Sequence, residues 1–323
     1  MKEIAEHAGV SKATVSRVIN ASPTVGREIA DTVRASIAEL GYRPSLTARS
    51  LSLGVSRTLG VVAPDLSNPM FHRVFSSLQR AAAGSGYRVL VAETLEDASL
   101  ESSTAIDIRN RTDAIVLVAP RMDRLEMLEL LPTLQPVAVV NRTTGGQAVV
   151  ARVDYAQGVV DLVAHLRELG HRRLLFLSGP ESSRSNQERL AGLESARAAD
   201  PDLRIDVMPC GHGFDDGYRC ADSVRTHGAT GVIAFNDVVA LGLMGKLLED
   251  GVSVPRDLSV VGFDDIAFAR YSAPPLTTMA VDLQGLADAL WGDLLAEIDG
   301  EQRREPRLVA PSLVIRGSTA PRP

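Results

Sequence analysis

Seven apolar runs rich in β-branched residues recur between residues 58 and 265, and each is flanked by a stretch with amphipathic, helix-like spacing. Runs that are apolar throughout are typical of strands buried on both faces of a parallel sheet. They occupy 58–64, 88–93, 114–120, 136–141, 173–179, 231–236 and 258–265. These are too many strands for one compact mononucleotide-like unit. The pattern therefore predicts two doubly wound α/β lobes with a ligand cleft between them.

The segment Lys2–Asn20 instead has the spacing of two short helices joined by a tight turn. Gly9 stands at the turn, where a positive φ is accessible without a Cβ, and Ser11 can cap the second helix. The buried stripe of that helix is predicted to be Val15, Val18 and Ile19. Its opposite face is short, polar and cationic, as the recognition helix of a helix-turn-helix requires. That face consists of Ala13, Ser16, Arg17 and Asn20, with Lys12 near its start.

A third helix is predicted from Val25 to Leu40, ending at Gly41. Its apolar residues recur every three or four positions, at Val25, Ile29, Val33, Ile37 and Leu40. Pro44 can open a further helix over 45–51, which is too short to be stable alone in water. That stretch would need DNA, a twin subunit or both as a partner; the alternative is a plain linker, which we predict for 52–57.

Charge and composition narrow the function classes. Residues 1–57 carry eight Lys and Arg against five Asp and Glu, whereas the remainder carries 26 against 35. A basic head on an acidic body is typical of nucleic-acid contact at one end, although a chance excess of this size is the alternative. A 45% hydrophobic content with 4% aromatics suits a large Ala-, Val- and Leu-rich core.

Several function classes lack their sequence signals. There is no Gly-rich phosphate motif, no G-x-S-x-G elbow and no metal-ligand spacing among the six His residues, so we expect no enzyme, no cofactor and no metal. Cys210 and Cys220 are too far apart for a redox pair and are predicted to be free thiols. With no signal peptide and no membrane span, we expect a cytoplasmic protein. The rival class, a solute-binding receptor of a transporter, would have similar lobes but requires export.

The blocks GVSKATVSRVIN, GYRP, TARSL and TLGVVAPDLSNPMF, in this order and spacing, resemble the lactose/galactose repressor (LacI/GalR) family. The resemblance covers essentially the whole chain. It implies a homodimer on a pseudo-palindromic DNA operator, associated with the nucleoid. It also implies that Lys12, Ala13 and Arg17 read bases, and that Leu51 wedges into the minor groove. Phosphate contacts then fall to Thr14, Ser16 and Asn20.

The resemblance also implies a division of the chain. The expected parts are a headpiece (1–43), a hinge helix and linker (44–57), a first lobe (58–169 with 283–309) and a second lobe (170–282 with 310–317). One departure concerns the start, because the family usually has a few more residues and a capping Thr there. Either the first helix is poorly capped at Met1, or the chain begins downstream of the native initiator.

Six residues are expected from the resemblance to bind a small effector: Phe71, Ser185, Arg189, His212, Asn236 and Asp264. An Arg and an Asp that converge on one polyol can donate to and accept from its hydroxyls. The alternatives are capping for Asn236 and Asp264 and an ordinary loop position for His212, while Asp265 is expected to be structural.

Gln157 and Ala119 replace polar residues of some sugar-binding members, so the first-lobe side of the pocket is expected to be less polar. We expect the effector to be a sugar or a sugar derivative; nucleobases and phosphorylated metabolites are the alternatives. The predicted function is a ligand-responsive transcriptional regulator, a repressor that its effector either releases or recruits.

Overall fold

The structure is a computed structural model that describes residues 1–19, 24–41, 55–301 and 305–322. The chain divides into two compact units, Met1–Arg57 and Thr58–Pro323. Within the described ranges, no helix combines the length and the apolar character needed to cross a bilayer. The same ranges hold no group of three or more His, Cys, Asp or Glu side chains arranged to bind a metal ion.

The first unit contains helices α1 (Lys2–His7), α2 (Lys12–Ile19) and α3 (Arg27–Glu39). The predicted turn between α1 and α2 is confirmed, with Gly9 at a φ of +65°. Met1 precedes α1 without a side-chain capping bond. The first helix is therefore poorly capped, which was the first of the two expectations. The small core of this unit consists of Ile4, Ala5, Val15, Val18, Ala30 and Val33.

The apolar stripe predicted for α3 is only partly right. Ile29 and Leu40 are 45% and 43% exposed, whereas Ala30 and Ser36 face inward. Ile29 lies on the outward side of α3, directly beside the buried Ala30, and Leu40 follows the last residue of the helix, Glu39. Ser36 is held there by a 3.0 Å hydrogen bond between its hydroxyl and Nδ1 of His7.

The second unit begins with a six-stranded parallel sheet in the order β11-β5-β4-β3-β1-β2. Its strands are β1 (Thr58–Ala63), β2 (Arg88–Glu93), β3 (Ala114–Val118), β4 (Val137–Val140), β5 (Val149–Val153) and β11 (Arg307–Val309). The helices of this first lobe are α4 (Pro69–Ala83), α5 (Glu101–Arg109), α6 (Arg124–Leu130) and α12 (Leu283–Ile298). Two 3-10 turns, Ala98–Leu100 and Leu131–Leu134, adjoin α5 and α6.

The second lobe is built on a four-stranded parallel sheet in the order β7-β6-β8-β9. Its strands are β6 (Arg173–Ser178), β7 (Arg204–Pro209), β8 (Gly231–Ala234) and β9 (Ser259–Val261). Its helices are α7 (Tyr155–Glu168), α8 (Arg184–Ala199), α9 (Phe214–His227), α10 (Asp237–Glu249) and α11 (Ala267–Tyr271). An antiparallel pair, β10 (Thr278–Ala280) and β12 (Ser312–Val314), lies where the chain passes between the lobes.

All seven predicted runs are strands, but five further strands were not predicted. β7 is largely exposed at the edge of its sheet and carries charged residues, so it lacks the continuous apolar signal. β10, β11 and β12 are only three residues long, and β5 is a short run interrupted by Arg152.

The lobe boundary differs from the expected division after residue 169. Helix α7 packs on α8 of the second lobe, where a Cβ on Gly192 would lie 2.4 Å from the carbonyl oxygen of Ala156. Only a glycine permits this approach, so α7 belongs with the second lobe. The chain first crosses between the lobes directly after β5.

Helices α9 and α10 make a second close approach. A Cβ on Gly242 would lie 1.9 Å from the carbonyl oxygen of Phe214, and one on Gly217 would lie 2.0 Å from that of Val239. Backbone atoms cannot yield as the end of a flexible side chain can. The two glycines therefore determine how closely these helices pack.

We expect Gly242→Ala to lower the free energy of unfolding by about 1–3 kcal/mol, because the methyl group overpacks against backbone. Gly245→Ala is the matched control on the same helix, where no atom lies within 4 Å of an added Cβ. It should be neutral or stabilise by roughly 0.5–1 kcal/mol. Urea unfolding of both variants measures the difference, and equal effects would contradict the close packing.

Candidate functional site

One cavity between the two lobes is lined by all six residues predicted to bind an effector: Phe71, Ser185, Arg189, His212, Asn236 and Asp264. They meet because the carboxyl ends of parallel strands face a common crevice. The cavity is narrow, about 20 Å³, which is room for about one water molecule. A ligand as large as a sugar therefore requires the lobes to move apart.

Arg189 on α8 is the only charged residue among the largest fully buried side chains of the described ranges. Its guanidinium carbon lies 4.3 Å from the ring centre of Tyr155, 4.7 Å from Phe235 and 4.2 Å from Phe263. Its Nη1 donates to the carbonyl oxygen of Ser185 at 3.0 Å, whereas its Nε has no hydrogen-bond partner among the residues that the structure describes. Burial lowers the pKa of Arg189, but an arginine keeps its charge in proteins. The site thus contains a fixed cation with an unused donor.

Asp264 follows β9 with a φ of +112°. Its backbone is held by the carbonyl oxygen of Met279, which accepts its N–H at 2.8 Å. Nη1 of Arg73, from the first lobe, donates to the Asp264 carbonyl oxygen at 2.7 Å. Burial raises the pKa of the Asp264 carboxyl to about 7, against the opposing pull of Arg189 and Arg73. Near neutral pH this carboxyl can therefore accept or donate a hydrogen bond.

Asp237 is a buried acid behind the cavity that the sequence analysis missed. Its carboxylate accepts from the Thr278 hydroxyl at 2.5 Å and from the Ile266 N–H at 2.9 Å. Burial first, and then the charge of Asp264, raise the pKa of Asp237 well above its usual value. It is the first residue of α10, directly before apolar residues, a position that gives no distinctive sequence signal. The acid ties the Asp264 loop to the crossover strand β10.

Asn236 fulfils the capping alternative. Its Oδ1 accepts from the N–H of Val239 at 2.9 Å, and its Nδ2 donates to the carbonyl oxygen of His212 at 2.9 Å. The His212 imidazole is partly exposed and lies 3.9 Å from a carboxylate oxygen of Asp65 on the first lobe. Asn236 therefore orders the His212 loop while it also lines the cavity.

Other predicted positions have mixed outcomes. Ser185 bonds the Ser183 hydroxyl at 2.9 Å, and Ala119 lines the cavity. Gln157 is a correction: it is exposed on α7 and bonds Asp161 at 2.8 Å instead of lining the cavity. Asp265 is structural, because it accepts from Arg316 at 2.5 Å. The lining residues that the sequence did not indicate are Asn68, Met70, Glu96, Arg121, Tyr155 and Phe235.

Helix α2 of the first unit presents the predicted polar face. Ser11 accepts from the N–H of Thr14 at 3.1 Å, which confirms the predicted cap. Val15 and Val18 are buried, so the other side of the helix faces solvent. That side carries Lys12, Ala13, Thr14, Ser16 and Arg17. Asn20 and Leu51, with most of the expected hinge, lie outside the described residues.

A family model described as bacterial regulatory proteins, lacI family, matches residues 1–45, and one described as a periplasmic binding protein-like domain matches residues 163–319. The HTH-type transcriptional regulator AscG of Escherichia coli (strain K12) is 32% identical over 333 residues, covering 98% of this chain and 97% of AscG. The chain belongs to the LacI family. This LacI-family protein is accordingly a ligand-responsive DNA-binding transcriptional regulator, not an enzyme.

Solved structures agree with this assignment. The lac repressor dimer bound to operator and the anti-inducer ONPF has a TM-score of 0.88 and 27% identity, covering 98% of each chain. A LacI family transcriptional regulator from Enterococcus faecium with bound ribose has a TM-score of 0.74 and 25% identity, covering 82% of this chain and all of that one. Both parts of the expected fold, the helix-turn-helix and the two α/β lobes, are thus confirmed.

Titration of Asp264 should appear in the stability of the LacI-family regulator. Because its pKa is raised in the folded state, Asp264 stabilises the fold below its unfolded pKa. That contribution is lost as the pH rises through about 7. From about pH 5 to about pH 8, the wild type should lose on the order of a few kcal/mol relative to Asp264→Asn.

Asparagine suits this test because it tolerates positive φ. Urea unfolding across the pH range gives the two curves, and Asp107→Asn, at an exposed ion pair, should follow the wild type. Parallel curves for the wild type and Asp264→Asn would show that Asp264 does not titrate in this window.

Proposed function

We propose that the protein is a homodimeric repressor that binds a pseudo-palindromic operator and responds to a sugar-like effector in the cleft between its lobes. The observation that carries this proposal is the cavity lined by the acid Asp264 and by the buried cation Arg189, which contacts three aromatic rings. Aromatic faces with a few fixed polar groups are typical of sites for small polar ligands.

For DNA, we propose that Lys12, Ala13 and Arg17 read base edges while Thr14, Ser16 and Asn20 contact phosphates. Arginine has a donor fork that matches guanine, and alanine offers a methyl contact. Leu51 is proposed as the minor-groove wedge of a hinge helix within 44–57. A palindromic site needs two headpieces, and the lac repressor in the similar structure is a dimer on its operator.

For the effector, we propose Phe71, Ser185, Arg189, His212, Asn236 and Asp264 as contacts. The similar regulator with bound ribose supports a sugar or a sugar derivative. Effector binding would change the angle between the lobes and so favour or oppose the paired hinges. Effector and operator must then alter each other's affinity by the same factor. The corresponding coupling free energy is typically about 1–3 kcal/mol.

The proposed organisation follows these roles: a headpiece over 1–43, a hinge over 44–57 and two lobes from residue 58. We propose that the regulator works in the cytoplasm at the nucleoid, because that is where a bacterial operator is accessible. The deciding experiment is fluorescence anisotropy of the purified protein on DNA from around its own gene, with and without a panel of sugars. Tight, salt-sensitive binding that one sugar releases supports an inducible repressor, and binding only with a sugar indicates a corepressor.

The DNA assignment predicts that Arg17→Ala weakens operator binding by about 1–3 kcal/mol, because a bidentate base contact is lost. Arg34→Ala is the matched control, since Arg34 is an exposed arginine of α3 paired with Asp31 at 2.8 Å. Anisotropy titrations at fixed salt compare the two variants. If the Arg34→Ala variant loses as much affinity as the Arg17→Ala variant, Arg17 contributes only general positive charge and does not read a base.

The effector assignment predicts that Asp264→Asn removes the effector response and leaves operator affinity unchanged, because the carboxylate no longer accepts from ligand hydroxyls. Asp215→Asn, at an exposed position of α9, is the matched control. The measurement is operator affinity against effector concentration. A normal response in Asp264→Asn would remove this residue from the binding set.

A further inference from the structure

A second cavity lies between the lobes beside the effector cavity and has a volume of about 380 Å³. Four arginines line it, together with the hydroxyl residues Thr143 and Ser182. The arginines are Arg121, Arg124, Arg142 and Arg184. Asp123 is the one carboxylate among the residues described as lining this cavity, which we call the arginine pocket. The four arginines therefore give the pocket more positive charge than the single carboxylate of Asp123 can balance.

Two of the four arginines have carboxylate partners. Arg121 forms a bidentate pair with Glu96, with N–O distances of 2.6 Å and 2.9 Å. Nε of Arg184 lies 3.4 Å from Oε1 of Glu188, but that oxygen also accepts from Arg152 at 2.7 Å. Arg184 is therefore only partly neutralised.

The other two arginines have no carboxylate within 4 Å in the part of the chain that the structure describes. Arg142 is half-buried, and its Nη1 donates to the carbonyl oxygens of Pro120 at 2.7 Å and Met122 at 3.1 Å. These bonds hold its guanidinium in place, and its other donors have no partner within the described ranges. The pKa of Arg142 is lowered, mainly by burial and also by the charges of Arg184 and Arg121. The acids Glu101 and Asp123 oppose this shift without reversing it. Arg124 is exposed at the start of α6.

The nearby acids are engaged in structural hydrogen bonds. Asp123 caps α6 by accepting from the N–H of Leu125 at 2.7 Å. Glu101 is buried behind the pocket and accepts from the backbone N–H groups of Arg121 and Met122 at 2.7 Å and 2.6 Å. These acids lie near the arginines without pairing with the guanidinium of Arg142 or Arg124.

The arginine pocket is lined by residues from both lobes. Arg121, Arg124 and Arg142 come from the first lobe, whereas Ser182 and Arg184 come from the second. Like charges face each other across the cleft, and an anion between them would replace repulsion by attraction. Arg121 also lines the effector cavity, so the two cavities are neighbours that share one lining residue.

We propose that the arginine pocket binds the phosphate group of the effector, which is then a phosphorylated sugar. Guanidinium forks match phosphate oxygens in bidentate geometry, and the Thr143 and Ser182 hydroxyls can supply neutral donors. The sugar hydroxyls would reach Arg189 and Asp264 once the lobes have moved apart, while the phosphate contacts arginines of both lobes. This inference rests on the proposed function, in which an effector occupies the cleft.

The first test is calorimetric titration of the full-length protein with inorganic phosphate at constant ionic strength. We expect saturable binding that Arg142→Gln and Arg124→Gln each weaken about tenfold or more, as loss of a charged hydrogen bond should. Arg124→Gln guards against a folding defect, because Arg142 also anchors two carbonyl groups. Arg111→Gln, at an exposed pair with Asp107 in the first lobe, should bind as the wild type does.

The second test compares the change in operator affinity, in either direction, that is caused by glucose 6-phosphate, other hexose phosphates and their parent hexoses. A phosphorylated sugar that acts at least tenfold more strongly than its parent supports the proposal, provided that Arg124→Gln removes the advantage. Phosphate binding without such an advantage would mean a free anion in the pocket and overturn the phosphorylated effector. No phosphate binding, or equal binding by all variants, overturns the site.

These outcomes remain distinct from failure of the proposed function. Operator binding that responds to a neutral sugar alone would refute the phosphorylated effector and leave the regulator intact. Absence of operator binding under every condition would count against the regulator itself. The calorimetric titration would still decide whether the pocket holds an anion.

Discussion

The buried guanidinium of Arg189 is the interaction on which the ligand-binding lobes depend. It contacts rings that follow three different strands: Tyr155 after β5, Phe235 after β8 and Phe263 after β9. Removing a charge from water is costly, and the aromatic faces and the nearby acid Asp264 offset only part of that penalty. The segments that follow β5, β8 and β9 are therefore held around one cation, and the Nε donor of Arg189 can bind a ligand.

The backbone around this cation is unusual in a consistent way. Ala119, Asn141 and Asp264 all have positive φ at strand ends, a conformation that non-glycine residues rarely adopt. Asn141 uses its side chain to bond the Val153 N–H and the Tyr155 hydroxyl, both at 2.9 Å, which orients the ring against Arg189. Such conformations persist where the surrounding structure enforces them, and they cluster at functional sites.

Sequence reasoning succeeded where a signal is local and repeated. The seven apolar runs became strands, and the turn at Gly9 and the cap at Ser11 formed as predicted. It was wrong for Ile29, Leu40 and Gln157, because periodicity and resemblance do not show which side of a helix its neighbours cover. It missed Tyr155 and Asp237, because an isolated aromatic or acid at the start of a helix has no pattern of its own.

By itself, the sequence determined the kinds of elements, their order, the DNA-type headpiece and the six residues that line one cavity. The elements and the headpiece follow from local spacing, whereas the six residues follow from the resemblance to the LacI/GalR family. Only the tertiary structure decided that α7 packs with the second lobe, that Asn236 caps α10 and that four arginines meet between the lobes. The reason is physical: charges such as Arg142 and Arg184, far apart in the chain, face one cavity only after both sheets have formed and the crossovers have joined them.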